Sequence, residues 1–189
     1  MRSLHKNIFI LFVYIMVLIF QTGCVADLPI STMVSDPTQD TQNTEMNFTQ
    51  IQAGDYSSLL GTWTVMAYSD NLFDGKGQQW YTGGAGPRSQ SLSVSADKID
   101  YNTSAMIVQG DTLTDYLGES YLLTFSEYEG SLSADLADKI TAINWAVTFI
   151  PKGVEYDLEP NNGVQIDNTK SRIVIWYSGM RVLTVFGQE

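Results

Sequence analysis

The stretch SRIVIWYSGMRVLTVFG, residues Ser171–Gly187, decides the fold class. Ile173, Ile175 and Tyr177 fall on one face of an extended chain, and Val182, Thr184 and Phe186 fall on one face of the run that follows. A side-chain period of two marks a strand. Both runs are rich in β-branched and aromatic residues, which suit a pleated, half-buried surface. Ser178-Gly179 supplies a short turn, so the spacing predicts a C-terminal β-hairpin.

The same period recurs upstream. Trp63, Val65 and Ala67 form one set; Leu92, Val94 and Ala96 form another. Tyr121, Leu123 and Phe125 alternate with Ser120, Leu122 and Thr124, and Ile143, Trp145, Val147 and Phe149 make the longest set. Turn signals stand between the runs at Gly75 and Gly77, Gly83–Pro87, Gly110-Asp111, Glu129-Gly130 and Asn161–Gly163. Residues 120–136 read as a second hairpin turning at Glu129-Gly130. Leu132, Leu136 and Ile140 also fit helical spacing, which leaves a short helix as the alternative. Residues 48–60 read as a helical turn leading into the first strand. No long amphipathic helix is visible, which argues against a parallel βαβ architecture. The expected fold is all-β and antiparallel, a lipocalin-like up-and-down barrel of about eight to ten strands, with a two-sheet β-sandwich as the alternative.

The N-terminus carries a different signal. Arg2, His5 and Lys6 precede an unbroken apolar run of 13 residues, Ile8–Phe20. That is shorter than the roughly 20 residues a membrane-spanning helix needs, and it fits a secretory signal. Thr22, Gly23 and Cys24 follow at once. This placement resembles the lipobox of bacterial lipoproteins, with Gln21 standing where a leucine is usual. The resemblance implies a lipid on Cys24, cleavage after Gly23 and anchorage to the outer face of the cytoplasmic membrane. Cys24 is the only cysteine, so it has no disulfide partner within the chain. The expected organisation is a signal over 1–23, a lipidated cysteine and flexible acidic tether over 24–45, and a β-domain over 46–189. The tether is rich in Ser, Thr, Gln, Asn and Asp and shows no apolar period.

Two further resemblances concern the domain. Gly61-Thr62-Trp63, just after a helical turn, resembles the first lipocalin motif. It implies that Trp63 packs across the closed end of a barrel beneath an arginine of the last strands, Arg181 or Arg172. A guanidinium over an indole gains about 0.5–2 kcal/mol of cation–π energy. Residues 46–63 (MNFTQIQAGDYSSLLGTW), 96–99, 143–153 and 167–176 resemble segments of a surface lipoprotein family of Gram-positive bacteria such as streptococci, enterococci and lactobacilli. That resemblance implies a lipoprotein with a β-rich domain and assigns neither an activity nor a site.

Composition narrows the chemistry. The one histidine, His5, leaves with the signal, so a Ser-His-Asp or Cys-His arrangement has no members in the mature chain. Zinc, copper and haem sites lack their usual ligands, and no cofactor is expected. Cleavage leaves eight Lys and Arg against 21 Asp and Glu, a net charge of −13, which disfavours nucleic acid. Glu155, Asp157 and Glu159 alternate and would share a face in an extended segment, as would suit a Ca²⁺ ion; a solvated acidic loop is the plainer reading. Trp80 and Tyr81, beside the glycine-rich Thr82–Arg88, are the candidate ligand-gripping pair, against the plainer reading of a strand end packed on the core. The expected function is non-enzymatic: a binding module for a small apolar or glycan ligand, or a surface interaction protein with a filled core and no small ligand.

Overall fold

In a computed structural model, the described residues are 45–71, 73–83, 89–138, 144–156 and 164–189. Cys24, the signal and all of the tether but Glu45 lie outside them. The Ser171–Gly187 hairpin sits inside one large sheet of eleven strands. They are β1 (Trp63–Asp70), β2 (Gln79–Thr82), β3 (Leu92–Val94), β4 (Lys98–Tyr101), β5 (Met106–Gln109), β6 (Thr112–Asp115), β7 (Ser120–Tyr128), β8 (Ser131–Leu136), β9 (Trp145–Ile150), β10 (Arg172–Tyr177) and β11 (Val182–Gln188). Every pair is antiparallel, in the order β2-β1-β11-β10-β9-β8-β7-β6-β5-β4-β3. The fold is therefore all-β and barrel-like, a single curled sheet and not two facing ones.

Eleven strands appear where eight to ten are expected, and strand parity limits how they can close. An all-antiparallel sheet closes on itself only with an even number of strands. With eleven, the two edges, β2 and β3, run in the same direction. β2 pairs with only the second half of β1, Ala67–Asp70. β3 returns to β1, with Cα atoms within 8 Å, closer than the roughly 10 Å between stacked sheets. β3 thus lies beside β1 where the sheet curls round, without a ladder between them among the described residues.

Cross-strand rows build the interior. Val65, Phe186, Ile173, Phe149 and Leu132 stand in register across β1, β11, β10, β9 and β8, and all but the half-buried Val65 are buried. Each large side chain removed from water contributes about 1.5–3 kcal/mol. Leu132, Ala134 and Leu136 all point inward along β8, so the strand reading of 120–136 holds over the helical one. The convex face is also covered over β1 and β9–β11. Ala67, Ile150, Val174 and Val185 pack there beneath Val154, Tyr156, Val164 and Ile166. Burial on both faces is why Ile173–Tyr177 reads as an unbroken apolar run.

A short N-terminal segment plugs one end of the barrel. It comprises helix α1 (Phe48–Gln52) and a 3₁₀ turn (Ser57–Leu59). The Asn47 side chain caps α1 by accepting from the Gln50 N–H at 3.1 Å. Ile51, Tyr56 and Leu59 are fully buried. The Tyr56 hydroxyl donates to the Gly110 carbonyl at 2.8 Å, and its N–H donates to the Ala96 carbonyl at 2.7 Å. These bonds tie the plug to the β5–β6 and β3–β4 turns. Gly54 has φ of +78°, and a Cβ there would lie 2.6 Å from the Gly110 Cα. Only glycine permits that approach.

Trp63 lies at this plugged end, with its indole N–H donating to the Leu59 carbonyl at 2.9 Å. The expected arginine partner is not there. Trp63 pairs with Gln188, at the end of β11, whereas Arg181 precedes the start of β11 at the opposite end of the barrel. Arg172 sits at the correct end, beside Thr64's partner Gly187, but on the convex face with Val174. There its guanidinium donates to the carbonyls of Pro151, at 3.5 Å, and Val154. Burial lowers the Arg172 pKa, and the nearby charges of Glu155 and Asp167 oppose that shift.

Candidate functional site

At the end of the barrel opposite the plug, several strands finish or begin on an aromatic residue. Tyr101 ends β4, Tyr116 follows β6, Trp145 opens β9 and Tyr177 closes β10. Because the strands alternate in direction, these four positions meet at one rim. They surround a cavity of about 430 Å³, together with Ala105, Met180, Val182, Ser89, Gln90 and Asn102.

One wall is aromatic. The rings of Trp145 and Tyr177 stack with centroids 4.3 Å apart at 23°. Tyr116 meets Tyr177 edge-on at 6.4 Å, and Tyr101 meets Trp145 edge-on at 6.2 Å. Tyr101 also packs edge-on against the core residue Phe186 at 6.1 Å, so this wall is continuous with the packed interior. Offset and edge-on pairs are the favoured arrangements of ring quadrupoles.

The other wall is polar and uncharged. The Gln90 side-chain carbonyl accepts from the Tyr101 hydroxyl and from the Asn102 amide, the latter at 2.7 Å. The Asn102 side-chain carbonyl in turn accepts from the Ser91 N–H at 2.7 Å. The Tyr101 hydroxyl also lies 3.1 Å from the Thr184 hydroxyl, which fixes its ring from the far side. The Gln90 carbonyl is thus held facing its donors, leaving its NH₂ group as the available donor.

The turn that presents Tyr116 is set by Asp115. This buried carboxylate accepts from the N–H groups of Leu117, at 2.9 Å, and Glu119, at 3.1 Å. The Tyr116 and Tyr177 hydroxyls approach to 3.4 Å. Burial, reinforced by the bond to Tyr116 and by the Asp115 charge, pushes the Tyr177 phenol up to about 12. It stays neutral over the physiological range. Among the described lining residues there is no carboxylate, amine, guanidinium or imidazole. The arrangement can stack and can donate or accept hydrogen bonds.

Two neighbouring polar groups are left open. Trp145 is 2% exposed, yet its indole N–H has no hydrogen-bond partner. A buried donor without an acceptor costs about 1–3 kcal/mol. The side-chain carbonyl of the adjacent Asn144 is likewise buried and unpartnered.

The expected pair Trp80 and Tyr81 is placed elsewhere. Consecutive strand residues face opposite ways. Tyr81 points inward and stacks on Tyr68 at 5.8 Å and 25°. Trp80 points outward and packs against the convex-face cluster. Neither lines the cavity. Residues 84–88 of the glycine-rich run lie outside the described residues. So do Asp157 and Glu159; Glu155 accepts from the Asn168 amide at 2.5 Å. Among the described residues no three His, Cys, Asp or Glu side chains are grouped to hold a metal ion.

The aromatic rim is absent from the sequence reading. Trp145 and Tyr177 enter there as strand residues, and Tyr101 is not singled out. The usable signal was positional: aromatic residues recur at those strand termini that share one end of an antiparallel meander. No family model, curated protein or solved structure matches the chain.

Proposed function

We propose that this protein is a non-enzymatic binding module. It takes a small ligand in the mouth of the barrel and is held at the outer membrane face by a lipid on Cys24. The observation that carries the reading is the cavity of about 430 Å³ walled by Tyr101, Tyr116, Trp145 and Tyr177. Its size lies within the roughly 300–1,000 Å³ usual for small-molecule sites, and a mainly apolar lining with a few fixed polar groups is their usual composition. The packed interior beneath it supplies rigidity, so the site is pre-formed and binding costs little ordering.

The test is a titration of the ¹⁵N-labelled domain with small neutral probes, both apolar (N-phenyl-1-naphthylamine) and saccharide. The four tryptophan indole N–H resonances are the readout, and Trp145→Phe assigns the one at the mouth. Saturable movement of the Trp145 resonance, with the Trp63 resonance still, is expected. If no probe moves it, the reading fails. Mass spectrometry of the mature N-terminus checks the anchor, with a diacylglyceryl group on Cys24 as the expected product.

A further inference from the structure

We infer that the left-handed turn between β4 and β5, Asn102–Ala105, is the positioning element of the mouth: its backbone strain is kept because it holds Asn102 and Ala105 rigid on the cavity. This rests on the reading that the mouth binds a small ligand, and it names the part of the rim that sets the affinity.

Tyr101 and Met106 pair at the ends of β4 and β5, so the four residues between them make the connection. Asn102, Thr103 and Ser104 have φ of 51°, 53° and 72°. Among the described residues they are the only consecutive non-glycine residues in the left-handed region. There the Cβ of an L-residue crowds the following carbonyl oxygen, and a β-branched residue such as Thr103 is the worst suited. The next three turns of the same meander instead place Gly110, Gly118 and Gly130 at positive φ. Glycine meets that conformation without steric cost. The fold thus has an unstrained solution that this turn does not use.

Strain of this kind persists only where the surroundings over-determine it. Here five hydrogen bonds do so. The Asn102 N–H donates to the Ser91 carbonyl at 3.0 Å, and the Asn102 side-chain carbonyl accepts from the Ser91 N–H at 2.7 Å. The Asn102 amide donates to Gln90 at 2.7 Å. The Ser104 N–H donates to the Asp100 carboxylate at 2.7 Å, and the Ala105 N–H closes the turn on the Tyr101 carbonyl at 3.0 Å.

The place of the turn connects the strain to binding. Asn102 and Ala105 line the cavity and are half-buried, so a ligand can reach them. Thr103 and Ser104 are exposed and are not among the described lining residues. The two residues that carry the bend therefore act on a ligand only through the two that flank them. Strained backbone collects at ligand sites because it fixes contact groups in advance, and groups fixed in advance lose no freedom when a ligand arrives. A glycine at Thr103 would relax the turn and return that freedom to Asn102 and Ala105.

The experiment titrates wild type, Thr103→Gly, Ser104→Gly and Thr103→Ala with N-phenyl-1-naphthylamine and with cellobiose, and measures the urea midpoint of each. Both glycine variants should have a higher midpoint than wild type, because strain is relieved. They should nevertheless bind the probe that wild type binds about two- to fivefold more weakly, in line with the extra backbone freedom of glycine. Thr103→Ala keeps a Cβ and should bind as wild type does. A role confined to stability would not move midpoint and affinity in opposite directions. Glycine variants that bind as tightly as wild type would overturn the inference and leave the small-ligand reading standing. A lower midpoint, or failure of the glycine variants to fold, would show that the turn is not strained and would overturn it as well. Weakening by Thr103→Ala equal to that by Thr103→Gly would assign the effect to a lost side chain and not to rigidity. If neither probe binds wild type, both readings fail together.

Discussion

Two tryptophans mark the two ends of the barrel. At the plugged end the Trp63 indole donates to the Leu59 carbonyl, and at the mouth the still more buried Trp145 indole donates to nothing. Around Trp63 the plug brings Ile51, Tyr56 and Leu59 into contact with the core and ties its polar atoms to the strand turns. Around Trp145 the rings leave a cavity, and a donor stays open. The same strands run from one end to the other, so the sheet itself does not set this difference. It arises from what lies across each opening. The lesson is that burial alone does not distinguish the two tryptophans; the partner of the indole N–H does.

The largest effect that would sharpen this contrast is Leu59→Ala. It removes a fully buried side chain from the plug and should cost about 2–5 kcal/mol, read as a lower urea midpoint with an unchanged slope. A loss below about 1 kcal/mol would mean that the plug is not part of the core.

Alkaline pH comes next, because each end holds one tyrosine shifted to about 12. Burial pushes Tyr56 up, with the Asp111 charge second; burial is also the first cause at Tyr177. Their unfolded value is about 10. Between the two values the folded chain keeps a proton that the unfolded chain has lost. The contribution is therefore intact below about pH 10 and is lost as pH rises through 12. Thermal unfolding midpoints should fall across that window. Tyr56→Phe and Tyr177→Phe should each flatten the fall to a similar extent, because both phenols are raised to about 12. A fall that neither substitution flattens would show that neither phenol is held against ionisation.

The smallest expected effect is Tyr177→Phe at neutral pH. It removes only the 3.4 Å approach to the Tyr116 hydroxyl and should change stability by no more than about 0.5 kcal/mol, read by the same urea titration. A larger loss would show that the mouth is held as tightly as the plug.

Much of the sheet was legible in the residues. The hairpin around Ser178-Gly179, the hairpin turning at Glu129-Gly130 and the helical turns before Trp63 all form as their spacing predicts. The short strands β4, β5 and β6 were harder, because four residues carry only two on each face and a period of two scarcely shows. The approach of β3 to β1 was illegible, since it follows from the curl of the sheet and not from local propensity. The mouth was missed for a related reason. Tyr101, Tyr116, Trp145 and Tyr177 are far apart in sequence, and only the register of the intervening strands assembles them. The Trp63–Arg181 expectation failed because it used strand membership without position along the strand.

The pairing of β1 with β11 has a consequence for the order of assembly. The strands from β3 to β11 form an unbroken meander in which each pairs with its sequence neighbour, so that part can grow from local contacts. The β1–β2 hairpin is made first in the chain and has no other partner in the ladder than the last strand. It must wait, and its docking closes a loop of nearly the whole domain. The entropy of that closure rises only slowly with length, by about 0.6 kcal/mol for each doubling, but it falls on a single late step. Glu189 helps to fasten this seam along β1: its N–H donates to the Thr62 carbonyl at 2.9 Å, and its carboxylate accepts from the Thr64 hydroxyl at 2.8 Å.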